Sequence, residues 1–358
     1  MVEKVKVFFL VSNDLLTDQR MHRICETLAT LQNYEIHLIG RKLFDNELPA
    51  YLFKAKRLNC FFKNGKLFYI ELFLKQFLYC IKHAPDIICS NDADTLLAAH
   101  FYAKIKKKKH LHDAHELFSQ VPEIKDKKTT QKIWQFIEKI GFRTVSRCYT
   151  VSEPIANYYQ KYFEQKVLLL KNYPRKKKYQ IESEKTYDVL YQGAINQGRG
   201  LEILIDASIA SAFSLAIVGE GDLTNWLKER IANTAHIAYF GRILPSALDK
   251  ITPKARIGYN VLDNSSKSYN FALPNKTFDY MQFGLPQIIG NTEELRLLNK
   301  KLTFAIEVNY NAIEVQNAVK MLLSNQDIYN LLAKNALQLS ENYCWENEEG
   351  KLIEIYTT

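Results

Sequence analysis

Short, largely apolar runs alternate with amphipathic segments along most of this chain, and this alternation limits the fold more than any other feature. The first run is Val5–Val11, interrupted only by Lys6, and the segment after the next loop carries Met21, Ile24 and Leu28 at helical spacing. A run that is apolar at nearly every position is typical of a strand buried on both faces of a parallel sheet, and such strands are joined by helical crossovers. The sequence therefore predicts an α/β protein.

The alternation occurs twice, with a polar segment between the two halves. Asn172–Pro174 and the charged run Arg175–Lys185 are typical of a linker. A chain of 358 residues, 47% of them hydrophobic, is long enough to form two cores. We therefore predict two domains, residues 1–173 and residues 186–344.

The sequence lacks the motifs of a dinucleotide-binding enzyme and of a cysteine-rich protein. The first βαβ unit contains the loop Ser12–Arg20 and no Gly-x-Gly-x-x-Gly, which argues against a nicotinamide-dependent enzyme. The six cysteines include no Cys-x-x-Cys pair, which argues against a disulfide framework and against a zinc site.

Positive charge is concentrated in the first half of the chain. Residues 1–186 hold 33 Lys and Arg against 20 Asp and Glu, whereas the remainder holds 15 against 19. This excess of positive charge favours an anionic partner, which could be a membrane surface, a nucleic acid or a phosphorylated substrate. No stretch approaches the roughly twenty apolar residues of a membrane-spanning helix, and Val5–Val11 is too short for a secretory signal. We expect a cytoplasmic protein.

Two predicted helices of this half bear on the choice of partner. Lys125–Arg147 interleaves cations with Trp134 and Phe136, which is typical of a helix lying on anionic lipid, and a solvated charged face is the alternative. Leu67–Lys82 is strongly apolar, and because its charges are few we interpret it as a core-packing helix rather than a membrane-lying one. No clustered nucleic-acid recognition motif accompanies the charge.

Two imidazoles and two carboxylates follow a predicted strand, in the segment His112-Asp-Ala-His-Glu116. The carboxyl ends of strands face the ligand crevice in open α/β sheets, so His115 and Glu116 are functional candidates. A zinc interpretation is weak, because there is no helical His-Glu-x-x-His and no third ligand nearby. A hydrogen-bonded structural role is the alternative for either histidine.

The second half carries the features of a nucleotide site. A helix that begins at Pro274 leaves its first N–H groups free for an anion, and Lys276 lies beside them. The loop Gly193–Gly200 can bring backbone N–H groups and Arg199 against a diphosphate. A carboxylate at Asp279 can accept two hydrogen bonds from a ribose diol. An ordinary surface αβ unit is the alternative.

Together these segments resemble glycosyltransferase family 4 of the GT-B fold. The matching segments are Ser12–Arg20, Asp113–Glu116, Gly193–Gly200, Ile217–Gly221, Tyr239–Arg242 and Pro274–Pro286. The last is similar to the family's Pro-x-Lys-x-x-Glu-Tyr-Met-x-x-Gly-x-Pro element. The resemblance implies two doubly wound Rossmann-like domains facing across a cleft, with a C-terminal helix, residues 345–358, packing back on the first domain.

The resemblance also implies roles for single residues. In the family, the position of Asp279 holds the ribose, those of Arg199 and Lys276 hold the diphosphate, and that of His115 reaches the donor sugar. The catalytic candidates are therefore His115, Arg199 and Lys276. The donor-binding candidates are Gly193, Arg199, Gly219, Glu220, Gly241, Asn275, Lys276 and Asp279. The acceptor-side candidates are Asn13, Asp14, Arg20 and Glu116, and no metal ligand is implied.

Two positions depart from the family pattern. Phe271 stands where the family usually has the first Glu of a Glu-x7-Glu pair, so a hydrogen bond to the donor sugar is lost or passes to backbone. Asp279 replaces the second Glu and is one methylene shorter. The identity of the donor stays open for this reason, and a catalytically idle partner subunit remains an alternative.

The activity implied is retaining glycosyl transfer from a nucleotide-diphosphate sugar, without a cofactor, to a glycan or lipid-linked acceptor in surface polysaccharide or glycolipid synthesis. Arg199, Lys276 and the helix N-terminus at Pro274 would stabilise the leaving diphosphate. We expect peripheral attachment to an anionic inner membrane face and no nucleic-acid partner. A nucleotide-sugar epimerase of similar fold is the alternative activity.

Overall fold

A computed structural model describes residues 4–120, 124, 127–176, 184–263, 267–270 and 273–357. The chain divides into two compact units. Unit 1 comprises the residues up to Asn172 together with the C-terminal segment from Glu348, and unit 2 runs from Tyr173 to Asn347.

Unit 1 is built on a parallel sheet. Its strands are β1 (Val5–Leu10), β2 (Tyr34–Arg41), β3 (Lys54–Leu58), β4 (Ile87–Asn91), β5 (Lys109–Ala114), β6 (Val145–Thr150) and β7 (Val167–Leu169). The described strands lie in the order β3-β2-β1-β4-β5-β6-β7, and each pair is parallel. The order reverses between β1 and β4, and open α/β sheets bind ligands beside such a switch point.

Unit 2 repeats this architecture. Its strands are β8 (Tyr187–Gln192), β9 (Leu215–Val218), β10 (Ile237–Tyr239), β11 (Ala255–Asn260), β12 (Gln287–Gly290) and β13 (Ala305–Val308). They are parallel and lie in the order β10-β9-β8-β11-β12-β13, which reverses between β8 and β11. The predicted α/β fold with two Rossmann-like parallel sheets is confirmed.

Helices connect these strands. In unit 1 they are α1 (Gln19–Ala29), α2 (Gly65–His83), α3 (Asp92–Lys106), α4 (Lys128–Gly141) and α5 (Glu153–Phe163). In unit 2 they are α6 (Leu201–Ser211), α7 (Thr224–Ile231), α8 (Pro245–Ile251), α9 (Lys267–Asn270), α10 (Asn275–Gln282), α11 (Glu293–Lys301), α12 (Ala312–Ser324) and α13 (Gln326–Asn342). The final helix is α14 (Glu349–Thr357). Short 3-10 turns lie at Phe118–Gln120, Phe142–Thr144, Thr252–Lys254 and Trp345–Asn347.

The central strands are buried on both faces. Phe8 and Phe9 are consecutive in β1 and both are fully buried. Because successive side chains of a strand point to opposite faces, helices must cover both sides of this sheet. In unit 2 the equivalent core includes Tyr191, Tyr259 and Ile288.

Helix α14 lies in unit 1 and returns the C-terminal end of the chain to it. Thr27 Oγ1 donates to Glu349 Oε1 at 2.9 Å, and the Tyr34 hydroxyl donates to the Tyr356 carbonyl at 3.1 Å. The hydroxyls of Tyr149 and Tyr356 are 3.0 Å apart. These hydrogen bonds fix α14 against α1, β2 and β6.

Helix α2 differs from its predicted role as a core-packing helix. One face packs inward, and its buried side chains are Phe68, Leu72, Gln76 and Cys80. The opposite line is also apolar yet exposed, and consists of Leu67, Ile70, Leu74 and Leu78. Composition indicated burial, but a helix on the outside of a sheet can bury only one side. None of the helices in the described ranges is both long enough and apolar enough to cross a bilayer.

Two edge strands were not predicted. β3 has the sequence Lys-Ala-Lys-Arg-Leu and no fully buried position, so it lacks the apolar run by which central strands are found. β13 has only four residues, and only its first and last are buried. Strands at sheet edges need less apolar sequence when helices cover their side chains less completely than those of central strands.

Candidate functional site

Charged side chains gather at the carboxyl ends of β4 and β5 in unit 1. Asp92 directly follows β4, and the register of the two strands sets Asn91 opposite Asp113. Asp92 has a φ of 57°, which costs a non-glycine residue roughly 1–2 kcal/mol. Its Oδ1 accepts a hydrogen bond of 2.8 Å from the His115 backbone N–H. This strained turn brings Asp92 beside His115.

Arg20, on α1, is buried and binds Asp113 with two hydrogen bonds. Arg20 Nε donates to Oδ2 at 3.0 Å, and Nη2 donates to Oδ1 at 2.8 Å. The third nitrogen, Nη1, donates to the Leu170 carbonyl at 3.2 Å. Because each guanidinium nitrogen donates inside the unit, Arg20 reaches a ligand only by positioning Asp113 and His115.

His115 is the most accessible member of this cluster, with 24% of its side chain exposed. Its Nε2 lies 2.9 Å from Asp113 Oδ2, and its Nδ1 lies 3.6 Å from Asp92 Oδ2. Burial alone would lower the pKa of His115, but the carboxylates of Asp113 and Asp92 outweigh it and raise the pKa to about 9. Burial likewise opposes ionisation of Asp113, but Arg20 and His115 hold its pKa at about 2. At neutral pH the ring is therefore an imidazolium fixed between carboxylates.

The other acceptor-side candidates differ in their surroundings. The Asp14 carboxylate is buried and accepts hydrogen bonds from the backbone N–H groups of Leu43 at 2.6 Å and Phe44 at 3.0 Å. It therefore shapes the loop after β2. Asn13 and Glu116 are exposed, and both follow strands at the same edge of the sheet.

In unit 2, glycines end three adjacent strands at the carboxyl edge of the sheet. Gly193 follows β8, and a Cβ at Gly219, after β9, would lie 1.8 Å from the Gly193 carbonyl oxygen. Gly219 also has a φ of 136°, and its N–H donates to the carbonyl of Gly241, after β10, at 2.8 Å. Only glycine fits at position 219, because the Gly193 carbonyl approaches it closely, whereas a Cβ at Gly193 would meet no atom within 4 Å among the described residues.

Lys276 lies in the first turn of α10, which follows Pro274. The residue is 7% exposed, and its Nζ is 4.3 Å from the centroid of the Tyr191 ring. Within the described residues, Nζ has no hydrogen-bond partner. Burial and, secondarily, repulsion by Arg199 lower the pKa of Lys276 well below its usual value. A buried amine beside a helix N-terminus is an arrangement that an anion stabilises.

Arg199 lies in the loop between β8 and α6. Its guanidinium carbon is 5.4 Å from the centroid of the Tyr269 ring, on α9. The positive charge of Arg199 adds to the lowering of the pKa of Lys276 and opposes the rise in the pKa of Tyr191 that burial causes.

Asp279 is fixed by the end of β8. Its Oδ2 accepts a hydrogen bond of 3.0 Å from Gln192 Nε2. The neighbouring Tyr280 hydroxyl donates to the Leu190 carbonyl at 3.0 Å and accepts from the Gln192 N–H at 3.2 Å. Gly258 makes room for that ring, because a Cβ there would lie 2.4 Å from it. Tyr280 thus holds α10 against β8 and sets the position of Asp279.

The remaining donor-side candidates are exposed at this edge. They are Asn275 and Glu220, and Glu220 Oε2 lies 3.9 Å from Arg242 Nε. The predicted donor-binding residues therefore share the carboxyl edge of the unit 2 sheet, whereas His115 and the acceptor-side candidates belong to unit 1. Phe271 lies outside the described residues.

Sequence reasoning missed several residues of these clusters. Asp92 directly follows β4 just as His115 and Glu116 directly follow β5, so the rule that found those two could have found it. Tyr191 lies within a buried strand and had the appearance of a core residue. Gln192 carries no charge that would mark it, although it ends a strand beside the site.

Comparison with known proteins identifies a family match and a shared fold. Residues 18–172 match the profile of the family described as Glycosyltransferase Family 4. The matched segment covers most of unit 1. The sequence matches no curated protein.

Solved structures of the same fold cover nearly the whole chain. Sucrose-phosphate synthase from Thermosynechococcus elongatus has 15% identity and a TM-score of 0.76, over 99% of this chain and 98% of that one. Anabaena Alr3699/HepE, in complex with UDP and glucose, has 12% identity and a TM-score of 0.75, over 99% and 100%. WaaG, a glycosyltransferase involved in lipopolysaccharide biosynthesis, has 11% identity and a TM-score of 0.74, over 99% and 100%.

The fold also occurs in a protein of another activity. A Listeria monocytogenes protein described as a UDP-N-acetylglucosamine 2-epimerase has 11% identity and a TM-score of 0.61, over 98% of this chain and 95% of that one. Likeness at these identities shows the fold alone. The resemblance predicted from the sequence is thus confirmed: residues 18–172 match glycosyltransferase family 4, and the chain has the fold of the GT-B glycosyltransferases.

Proposed function

We propose that this protein is a glycosyltransferase whose donor, a nucleotide-diphosphate sugar, binds at the carboxyl edge of the unit 2 sheet. The observation that carries the proposal is Lys276, whose buried Nζ has no hydrogen-bond partner in the described part of the chain and whose pKa is lowered by burial and by the like charge of Arg199. A diphosphate would supply the opposite charge at Nζ. The leaving diphosphate also gains charge as the glycosidic bond breaks, so the same groups stabilise the transition state more than the bound donor.

The rest of the nucleotide has partners at the same edge. Asp279, held by Gln192, presents a carboxylate that can accept both hydroxyls of a ribose. The backbone at Gly193, where a Cβ would meet no described atom within 4 Å, can admit a planar base or a phosphate at close range. The HepE structure that shares this fold contains UDP and glucose, which supports a donor of the same class.

His115 contributes a positive charge near the reacting sugar in this proposal. Its pKa of about 9 keeps the ring protonated at neutral pH, so it donates hydrogen bonds and cannot act as a general base there. Asp113 and Asp92 fix the ring, and Arg20 fixes Asp113. Retention at the anomeric carbon is the stereochemical outcome that the family resemblance supports.

We further propose that the acceptor is a lipid-linked glycan or glycolipid presented at an anionic membrane, in synthesis of a surface polysaccharide or glycolipid. The excess of 13 positive charges in residues 1–186, from 33 Lys and Arg against 20 Asp and Glu, supports an anionic surface as partner. WaaG, with the same fold, is a glycosyltransferase involved in lipopolysaccharide biosynthesis.

The test is incubation with a panel of nucleotide-diphosphate sugars, scored first by thermal stabilisation and then by product analysis. A donor that binds the native state raises the melting temperature, and transfer to an added acceptor then releases free nucleoside diphosphate together with a glycoside of retained configuration. Absence of stabilisation by every donor would contradict the proposal.

An epimerase is the second candidate, because the Listeria epimerase shares the fold. Release of nucleoside diphosphate with a free, isomerised sugar and no glycoside would assign that activity instead. Donor binding without any turnover would indicate a catalytically idle subunit.

A further inference from the structure

The outer surface of helix α2 in unit 1 is apolar where a surface helix is normally polar. Four side chains at helical spacing face solvent along it, Leu67, Ile70, Leu74 and Leu78, with exposures of 56%, 55%, 47% and 61%. The spacing of three and four residues sets them in one line along the solvent side, opposite the buried Phe68, Leu72, Gln76 and Cys80. No charged residue interrupts this line.

The exposed apolar surface continues onto the neighbouring helix. α3 packs between α2 and α4, and Phe101 and Ile105 of α3 are 38% and 58% exposed. The rings of Phe73 and Phe101 lie 5.9 Å apart and join the two helices. We call the six side chains Leu67, Ile70, Leu74, Leu78, Phe101 and Ile105 the apolar face.

The exposed charged side chains on helices α2, α3 and α4 themselves are cationic in the part of the chain that the structure describes, and Asp86, partly exposed after the end of α2, is paired with Lys108 at 2.7 Å. The exposed cations on these three helices and at their ends include Lys66, Lys82, Lys104, Lys106, Lys132 and Lys139. Helices α2, α3 and α4 carry four carboxylates, and none of the four is exposed. Glu71 pairs with Lys75 at 2.6 Å, Glu138 is buried, and the other two belong to the cluster at the strand ends.

We propose that unit 1 binds an anionic lipid bilayer by inserting the apolar face into the boundary between head groups and acyl chains. The flanking lysines would then lie beside lipid phosphates. One partner would therefore both bury the apolar side chains and supply the negative charge that pairs with the lysines. A protein partner is a poorer match, because lysine is depleted in protein interfaces. The inference deepens the proposed function, since it rests on a membrane-presented acceptor and names the surface that reaches it.

The location of the apolar face relative to the strand ends suits that role. α3 begins at Asp92, directly after β4, and Tyr69 in the early part of α2 lies 5.2 Å from Trp134 of α4, centroid to centroid. Helices that follow parallel strands start at the carboxyl edge of the sheet, so these helices leave from the edge that carries His115. A membrane held along the apolar face would bring lipid head groups to the same side of unit 1.

The test is flotation of the full chain with phosphatidylglycerol vesicles and with phosphatidylcholine vesicles, at low and high salt. The variant Leu74→Glu/Leu78→Glu removes apolar area and adds negative charge at positions that are exposed, and Glu is as good a helix former as Leu. The matched control is Ile313→Glu/Leu331→Glu in unit 2, where the side chains are 65% and 56% exposed. A further variant, Lys104→Gln/Lys106→Gln, tests the charges alone.

The wild type and the unit 2 control are expected to float with phosphatidylglycerol vesicles, and more weakly at high salt because the attraction is screened over about 8 Å at physiological ionic strength. Leu74→Glu/Leu78→Glu should lower the partition coefficient by roughly tenfold or more. Each lysine removed should lower it by about fivefold. Circular dichroism melting checks that the variants remain folded.

Failure of the wild type to float with either lipid would overturn the inference, and so would equal flotation of Leu74→Glu/Leu78→Glu and the wild type. A wild-type dimer that the same substitutions convert to a monomer, without vesicle binding, would assign the face to a second copy of the chain. Transfer to a water-soluble acceptor without vesicle binding would contradict membrane binding by the apolar face and leave the glycosyltransferase activity supported. Vesicle binding without transfer from any donor would overturn the proposed function alone.

Discussion

The cluster around His115 in unit 1 and the cluster around Lys276 in unit 2 differ in how their charges are compensated. In unit 1, Arg20 lies 2.8 Å from Asp113, and His115 lies 2.9 Å from the same carboxylate, so positive and negative groups are paired before any ligand binds. In unit 2, the buried Nζ of Lys276 has no hydrogen-bond partner in the described residues, and the like charge of Arg199 helps to lower its pKa. The first cluster supplies its own counter-ions, whereas under the proposed function Lys276 obtains one from the bound diphosphate.

This difference predicts opposite responses to mutation. Removing one partner of a buried pair leaves the other charge uncompensated and destabilises the protein. Removing a buried cation that lacks a counter-ion relieves a cost of desolvation instead. We therefore expect mutations in the unit 1 cluster to lower the stability of the protein. We expect mutations in the unit 2 cluster to weaken ligand binding instead.

The largest effect is expected for Arg20→Ala. It leaves Asp113 buried without its bidentate partner and should lower the free energy of unfolding of unit 1 by about 3–5 kcal/mol. Denaturant unfolding measures the loss, and hydrogen exchange in β5 assigns it to unit 1. The matched control is Arg230→Ala, whose pair with Asp206 has side chains 45% and 52% exposed. That change should cost less than about 1 kcal/mol. Equal losses in both variants would show that the Arg20 pair is not special.

The next largest effect is expected for His115→Ala, which should lose most of its turnover. A fixed positive charge near the transferring sugar acts mainly in the transition state, so kcat should drop by roughly 10²-fold or more while donor affinity changes little. Steady-state kinetics together with calorimetric donor binding separate the two quantities. His115→Gln keeps a donor without the charge and should lie between. Retained turnover with only a lower melting temperature would indicate a structural histidine.

Lys276→Met should weaken nucleotide-diphosphate binding by about 1.5–3 kcal/mol, because a charge-assisted hydrogen bond to phosphate is lost. The ligand-free variant should be at least as stable as the wild type, since a buried charge without a counter-ion has been removed. Arg199→Ala should weaken binding in the same range, and Lys254→Met, an exposed lysine of the same unit, should leave it unchanged. Unchanged affinity in both site variants, measured calorimetrically, excludes the site.

A pH dependence of unit 1 offers a further test of the contrast between the clusters. The pKa of His115 rises from 6.5 to about 9 on folding, so its contribution to stability is complete below pH 6.5 and is lost as pH rises towards 9. Turnover should decline over the upper part of that window if the imidazolium is required. Melting curves and kcat profiles of the wild type and His115→Gln measure both, and a wild-type profile that matches the variant would contradict this assignment.

Local sequence patterns predicted the parts of the fold that local physics determines. Val5–Val11 predicted β1 because a strand buried on both faces is apolar at most of its positions, and Pro274 marked the start of α10 because proline suits the beginning of a helix. The edge strand β3 escaped notice, since no residue of it is fully buried.

Contacts between distant residues could not be predicted in this way. The Arg20–Asp113 pair joins residues 93 positions apart, and only the parallel sheet brings them together. Composition marked α2 as apolar but could not show that Leu74 and Leu78 face solvent, because that depends on which side of the helix the sheet covers.

The most direct test of the contrast between the two clusters is hydrogen exchange of the whole chain with and without uridine diphosphate. We expect nucleotide to protect residues 193–200 and 273–282 in the wild type, because they carry Arg199 and Lys276 and the free N–H groups of α10. The same protection should be lost in Lys276→Met. Protection confined to residues 109–116 of unit 1, or equal protection of residues 193–200 and 273–282 in wild type and variant, would contradict the account.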